Sequence, residues 1–247
     1  MNTVIGLLII AIGAFCQSSS YVPINKIRKW SWESYWLIQG VFAWLIFPIL
    51  GALLAVPQGH GLFELYAAAP KESFLTMFFG VLWGVGGLTF GLSMRYLGVA
   101  LGQSIALGTC AGLGTIMGPV LLNIFFPELD ALSSLTAAVI IGVVTTLAGI
   151  AIIGIAGGMK SASLSEEEKK EAVKDFNFPK GLAIALLAGF MSGCFNVGLE
   201  FGKELNFGEL TDPMFRTLPA TLLVTVGGFL TNACYCIFQN VRNRTFT

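Results

Sequence analysis

The stretch ALSSLTAAVIIGVVTTLAGIAIIGIAGGM, residues 131–159, contains no aspartate, glutamate, lysine or arginine. A helix needs about 20 predominantly apolar residues to cross a hydrocarbon layer about 30 Å thick. The composition of the whole chain is similar, since 55% of its 247 residues are hydrophobic, 11% are charged and 30 are glycine. Soluble domains carry about a quarter charged residues. The sequence therefore indicates a polytopic membrane protein.

Charge-free windows recur along the chain, each with about 19 residues or more. They lie at residues 3–22, 35–56, 73–94, 97–127, 131–159, 181–199 and 217–241. Their continuous apolar character favours helices over the alternating strands of an outer-membrane barrel. The sequence thus predicts an all-α bundle of seven transmembrane helices, the first a permanent span because no basic region precedes it. Window 97–127 exceeds one span and holds Pro119, which predicts a kinked or partly interfacial helix.

Basic residues are distributed unequally between alternate connections. Eleven of the 14 lysines and arginines fall in connections 1, 3 and 5 or after the last window. The other three are Lys71, Lys203 and Arg216. Because cytoplasmic loops carry the basic excess, we expect the N-terminus outside and residues 160–180 in the cytoplasm. The tryptophans that follow the first basic cluster, expected at the lipid headgroup boundary, are Trp30, Trp32 and Trp36.

The polar stretch 160–180 divides the chain into residues 1–159, with five predicted spans, and residues 181–247, with two. The segments GLLIIAIGAF, from Gly6, and GLAIALLAGF, from Gly181, match at four of ten positions. An odd number of spans forces the second unit to enter the membrane from the opposite side. Inverted repeats of this kind build secondary transporters with a substrate site near the midplane. We therefore expect two inverted five-helix units, the second incomplete, joined by a solvated cytoplasmic linker.

Five tracts resemble a known transporter family. They are YVPINKIRKWSWES at 21–34, WGVGGLTFGLSMRYLGVALGQSIALG at 83–108, GTIMGP at 114–119, FNFPKGLAIA at 176–185 and LPATLLVTVGG at 218–228. Together they resemble the L-rhamnose/proton symporter family of the drug/metabolite transporter superfamily. The resemblance implies ten helices in two inverted repeats, of which the last three would be absent here. It also implies uptake of a deoxyhexose with a proton across a bacterial inner membrane.

Glycines recur four residues apart at many places in the windows. The pairs are Gly80/Gly84, Gly87/Gly91, Gly98/Gly102, Gly114/Gly118, Gly154/Gly158, Gly189/Gly193 and Gly198/Gly202. This spacing lets helix backbones approach closely and slide. We expect plain helix packing for most pairs, although alternating access also needs such smooth surfaces.

A sugar site needs a few polar side chains for hydroxyl groups and an aromatic face for the C–H side of the ring. Polar residues inside a membrane usually face the bundle interior, so each is either a substrate ligand or an interhelical hydrogen-bond partner. The residues predicted to bind substrate are Gln17, Gln39, Trp83, Gln103 and Asn196. The wider set of polar residues in the windows also includes Ser18, Thr89, Thr109 and Asn232.

Proton coupling requires a group that gains and loses a proton within the transport path. The single histidine, His60, falls in an outer connection and is expected to be solvated. Glu33, at the cytoplasmic mouth of the second span, and Glu200, at the outer end of the sixth, are the predicted coupling residues. Glu200 could instead pair with Lys203, and the family pattern does not support an acid there. A coupling group in the absent helices is an open alternative.

An enzyme is disfavoured, because one histidine and five scattered cysteines form no pair of recognisable catalytic or metal-binding spacing. We expect no catalytic residue, no metal, no cofactor and no nucleic-acid partner. The expected partners are a sugar, a proton and the lipid bilayer, and a homo-oligomer stays open. The alternatives are a carrier of another small metabolite and a non-transporting membrane subunit. Neither the exact sugar nor the coupling ion, H⁺ or Na⁺, follows from the sequence.

Overall fold

The computed structural model describes residues 3–19, 30–163, 165 and 176–245, and these residues form helices and turns with no strand among them. The prediction of an all-α fold is therefore confirmed. The helices are α1 (Thr3–Ser19), α2 (Trp32–Leu53), α3 (Leu62–Ala68), α4 (Pro70–Leu97), α5 (Val99–Phe125), α6 (Ala137–Ser163), α7 (Phe178–Phe201) and α8 (Leu218–Asn243). Helix α2 contains a π-helical segment at Val41–Ile46, and 3₁₀ turns occur at Pro127–Leu129, Ala131–Ser134 and Gly208–Leu210.

Six of the described helices, α2 and α4 to α8, are long and apolar enough to cross a membrane. The first predicted span, in window 3–22, forms the shorter apolar helix α1. Its 17 residues extend about 26 Å at 1.5 Å per residue, slightly less than a hydrocarbon core. Its apolar side chains stay exposed, with Ile10 at 67% and Phe15 at 74%. Within the described residues, six of the seven predicted windows thus form long helices and window 3–22 forms a shorter one.

Local backbone chemistry moves several helix ends away from the predicted boundaries. Window 97–127 begins inside α4, and Gly98, with φ of +81°, separates α4 from α5. Window 131–159 begins too early, because the hydroxyls of Ser133 and Ser134 donate to backbone carbonyls three residues before them and stabilise a 3₁₀ turn. Helix α7 begins before the predicted residue 181, because the Asn177 side chain caps it by accepting from the Lys180 N–H at 3.1 Å.

The long helices pack in the order α2, α8, α4, α7, α5, α6. Helix α7 lies against both α4 and α5, and α8 lies against α4 on one side and α2 on the other. Helix α3 contacts this bundle through Tyr66, whose Oη donates to the Pro219 carbonyl at 3.0 Å. Burial of the Tyr66 side chain raises its pKa. Helices α7 and α8, which follow residues 160–180, therefore pack between helices that precede this segment.

Glycines allow the closest helix contacts in the bundle. A Cβ atom at Gly80 would overlap the Val224 carbonyl, and one at Gly227 would overlap the Met77 carbonyl, so the backbones of α4 and α8 touch. By contrast, Gly87 and Gly91 have no atom within 4 Å of a Cβ position. The predicted glycine pairs thus include packed glycines and open ones, namely Gly87 and Gly91 on α4 and Gly154 on α6.

Candidate functional site

Five aromatic rings form a continuous chain of contacts across α2, α4 and α7, which we call the aromatic ladder. Trp32 and Trp36 stack with ring centroids 5.4 Å apart, and Trp36 meets Trp44 edge-on at 5.6 Å. Trp44 meets Trp83 at 5.9 Å, and Trp83 meets Phe195 at 4.9 Å, both in edge-to-face geometry. These separations fall in the favourable range for aromatic pairs. The ladder therefore connects three helices through their side chains.

Two glycines allow the central rings of the ladder to reach one another. A Cβ atom at Gly40 would lie 3.0 Å from the Trp44 ring, and any side chain at Gly228 of α8 would overlap the Trp83 ring. Trp83 consequently rests on the α8 backbone and is half-buried. Trp44 and Trp83 both lie near the middle of their helices.

Asn232 joins the ladder to the α4–α8 contact. Its Oδ1 accepts from Trp36 Nε1 at 2.9 Å, while its Nδ2 donates to the carbonyls of Gly228 at 2.8 Å and Gly84 at 3.4 Å. Its side chain is only 4% exposed. Because both ends of the amide are bonded, the orientation of Asn232 is fixed, and so is the Trp36 indole beside it.

The predicted substrate residues are only partly brought together. Asn196 follows Phe195 in sequence, is exposed, and lies against Gly114 of α5, whereas Phe195 contacts Trp83 of α4. Gln103 is also exposed on α5, but it lies 11 residues from Gly114, about 16 Å along the helix axis. Asn196 is thus linked to the ladder only through its chain neighbour Phe195, and Gln103 lies farther away.

The two remaining residues predicted to bind substrate are Gln39 and Gln17. Gln39 lies one helical turn after Trp36 on α2, and its buried Oε1 has no hydrogen-bond partner within the described part of the chain. Its position places a free acceptor close to the ladder. Gln17 belongs to α1, but its side chain lies outside the described residues.

The two predicted coupling carboxylates lie at opposite ends of the bundle. Glu33 Oε1 accepts from Asn243 Nδ2 and from Thr245 Oγ1, each at 3.0 Å, at the C-terminal end of α8. Glu200 lies at the other end, where Lys203 Nζ approaches its Oε1 at 3.4 Å. Glu33 follows Trp32 at one end of the ladder, but neither carboxylate lies beside the central rings of Trp44 and Trp83. The alternative pairing of Glu200 with Lys203 is present in the structure.

The sequence of the chain matches a known transporter family almost from end to end. Residues 1–246 match the family described as L-rhamnose-proton symport protein (RhaT). The chain belongs to this family. The L-rhamnose-proton symporter family consists of transporters rather than enzymes, in agreement with the resemblance in the sequence.

Curated relatives extend the family match. The L-rhamnose-proton symporter of Cronobacter sakazakii is 34% identical over 238 residues, which cover 95% of this chain and 66% of the relative. The Escherichia coli protein is 31% identical over 236 residues, covering 92% and 64% of the two chains. A Yersinia pestis symporter is 30% identical over 244 residues, covering 96% and 67%. The chain therefore spans about two thirds of the length of these relatives. No solved structure matches it.

The sequence analysis missed part of the ladder in this RhaT-family chain. The sequence predicts an interfacial anchor at Trp36, assigns no role to Trp44, and indicates Asn232 only as one of several polar residues in the windows. The spacing of Trp32, Trp36 and Trp44 by four and eight residues places them on one side of a helix and could have indicated a shared contact. The partner of Trp36, however, lies 196 residues away and has no local signal.

Proposed function

We propose that this chain provides the substrate-binding helices of a secondary active transporter that imports L-rhamnose, or a related deoxyhexose, with a proton by alternating access. Its membership of the L-rhamnose-proton symporter family supports the substrate class. The observation that carries the proposal is the position of Trp83, in contact with Trp44 and Phe195, near the middle of a long apolar helix.

The chemistry of this group suits a deoxyhexose. Such a sugar presents hydroxyl groups on its edge and C–H groups, including a methyl, on its faces. The indole and phenyl rings of the ladder offer apolar surface for the C–H groups, and the exposed amide of Asn196 offers both a donor and an acceptor for the hydroxyls. The open glycines Gly87 and Gly91 leave room for a ligand to approach the α4 backbone.

The proposed path runs along the bundle between two carboxylates. We assign proton uptake and release to Glu33 and Glu200, because a coupled proton has to enter at one face of the membrane and leave at the other. One proton moving through a potential of 100 mV supplies about 2.3 kcal/mol, which supports roughly fiftyfold accumulation of sugar. The energy of one proton is therefore sufficient for the proposed import.

The proposed orientation has the N-terminus outside and residues 160–180 in the cytoplasm of a bacterial inner membrane. The excess of lysine and arginine in alternate connections supports it. The same orientation makes α7 the first helix of a second, inverted unit. A reporter fused after Lys174 is expected to be active only on the cytoplasmic side. Activity confined to the outer side would reverse the orientation.

Uptake of labelled L-rhamnose by vesicles that contain the chain tests the proposed function. We expect saturable accumulation that a protonophore abolishes, since the proton gradient drives it. Vesicles without the chain provide the background. Uptake no greater than this background would refute transport by the chain and favour a non-transporting membrane subunit.

A further inference from the structure

A pocket lies at the end of the bundle where α2 begins and α8 ends. It has a volume of about 330 Å³, and its walls include Trp30, Ser31, Ser34, Asn240 and Thr245. This volume falls within the range of small-molecule sites. Ser34 lies ten residues before Trp44, about 15 Å along α2, so the pocket is separate from the middle of the aromatic ladder.

The polar wall of this end pocket is rich in hydrogen-bond acceptors. Ser31 Oγ donates to Ser34 Oγ at 2.9 Å, and Ser34 Oγ donates to Asn240 Oδ1 at 2.8 Å. Asn240 is fully buried, and its Nδ2 donates to the Cys236 carbonyl at 3.0 Å. The hydroxyl protons of Ser31 and Ser34 and one N–H of Asn240 are thus used within the wall. Ser31 Oγ also accepts from the Ser34 N–H, so each hydroxyl oxygen keeps one lone pair for a ligand.

The charge and the aromatic surface next to the end pocket indicate which class of ligand it would bind. The carboxylate of Glu33 lies beside the wall, where Thr245 Oγ1 is within 3.0 Å of it. A neutral molecule with several O–H donors would be complementary to this carboxylate and to the hydroxyl oxygens of the wall. The Trp30 indole, 53% exposed, adds an apolar face suited to the C–H groups of such a molecule.

We propose that the end pocket is a second binding site for a neutral polyol of monosaccharide size. Its identification as a sugar site on the release side rests on the proposed function, in which this end of α2 faces the cytoplasm. The sugar would occupy it after leaving the ladder and before entering the cytoplasm. The same polyol chemistry occurs in the glycerol headgroup of phosphatidylglycerol, so the test has to separate the free sugar from the lipid.

Equilibrium binding of labelled L-rhamnose to the chain in phosphatidylcholine nanodiscs tests this proposal. We expect two equivalents of sugar per chain. The variant Trp30→Ala should lose one equivalent, with affinity at that site at least tenfold weaker, and Ser34→Ala should weaken the same equivalent. Phe238→Ala is the matched control, because Phe238 is 62% exposed near the same end of α8 but neither lines the pocket nor belongs to the aromatic ladder. It should keep both equivalents.

The other possible results of this binding experiment distinguish the end pocket from the proposed function. One equivalent in the unmodified chain, unaffected by Trp30→Ala and Ser34→Ala, would refute the end pocket and leave the proposed function intact. One equivalent that Trp30→Ala removes and Trp83→Ala does not would support the pocket and refute the ladder site. Loss of the Trp30-dependent equivalent in nanodiscs that contain phosphatidylglycerol would assign the pocket to the lipid headgroup and overturn its role in sugar release.

Discussion

Replacing Gly227 with alanine is expected to abolish or severely reduce recovery of the folded chain. Its Cβ atom would overlap the Met77 carbonyl and lie 2.8 Å from the Val81 amide nitrogen, both in the backbone of α4. Backbone atoms inside two packed helices cannot move aside locally, so α4 and α8 would have to separate. Overpacking of this kind costs about 3 kcal/mol or more, against a total stability of about 5–15 kcal/mol. Thermal unfolding of the detergent-solubilised chain measures the effect.

The matched control for this substitution is Gly91→Ala, on the open face of α4. No atom lies within 4 Å of its Cβ position, and alanine is the better helix former by about 1 kcal/mol. We expect its unfolding temperature to equal or exceed that of the unmodified chain. Equal unfolding temperatures for Gly227→Ala and Gly91→Ala would contradict the close α4–α8 contact.

Replacing Trp83 with alanine is expected to weaken the binding of L-rhamnose at the ladder roughly tenfold. The substitution removes the ring that lies between Trp44 and Phe195, and the loss of one aromatic contact of about 1.4 kcal/mol corresponds to a factor of ten. Trp83→Phe keeps an aromatic face and should bind more tightly than Trp83→Ala. Calorimetric titration of L-rhamnose into each purified variant measures the affinities.

Folding controls are needed for the Trp83 variants, because the ring also rests on Gly228. The comparison is valid for variants whose unfolding temperature stays within a few degrees of that of the unmodified chain. If Trp83→Ala binds L-rhamnose as tightly as the unmodified chain while remaining folded, the sugar does not contact the ladder.

The helices could be predicted from the sequence because membrane insertion depends on a simple property, the length of apolar chain between charges. Their ends could not, because they depend on local hydrogen bonds such as those of Ser133, Ser134 and Asn177. The first window was long enough by composition, yet α1 is shorter than the other membrane helices. Apolar length alone therefore predicts the number of helices better than their extent.

The candidate site was predicted only in part. Trp83 and Asn196 were chosen for their residue types, and the structure places Trp83 against Phe195 of α7 but Asn196 against α5. The Trp36–Asn232 bond could not be predicted, because it joins helices that are far apart in sequence. Likewise, identical four-residue glycine spacings include Gly80, which is tightly packed, and Gly87, which is open. Whether a glycine is packed or open depends on the neighbouring helices, and the spacing within one helix does not show it.

The most direct test of proton-coupled sugar transport measures the pH inside vesicles. Proteoliposomes that contain the chain and enclose a pH-sensitive dye receive external L-rhamnose, with mannitol as the control solute. We predict that L-rhamnose acidifies the lumen, that mannitol does not, and that a protonophore eliminates the difference. A lumenal pH that stays constant when L-rhamnose is added to correctly folded protein would contradict the account.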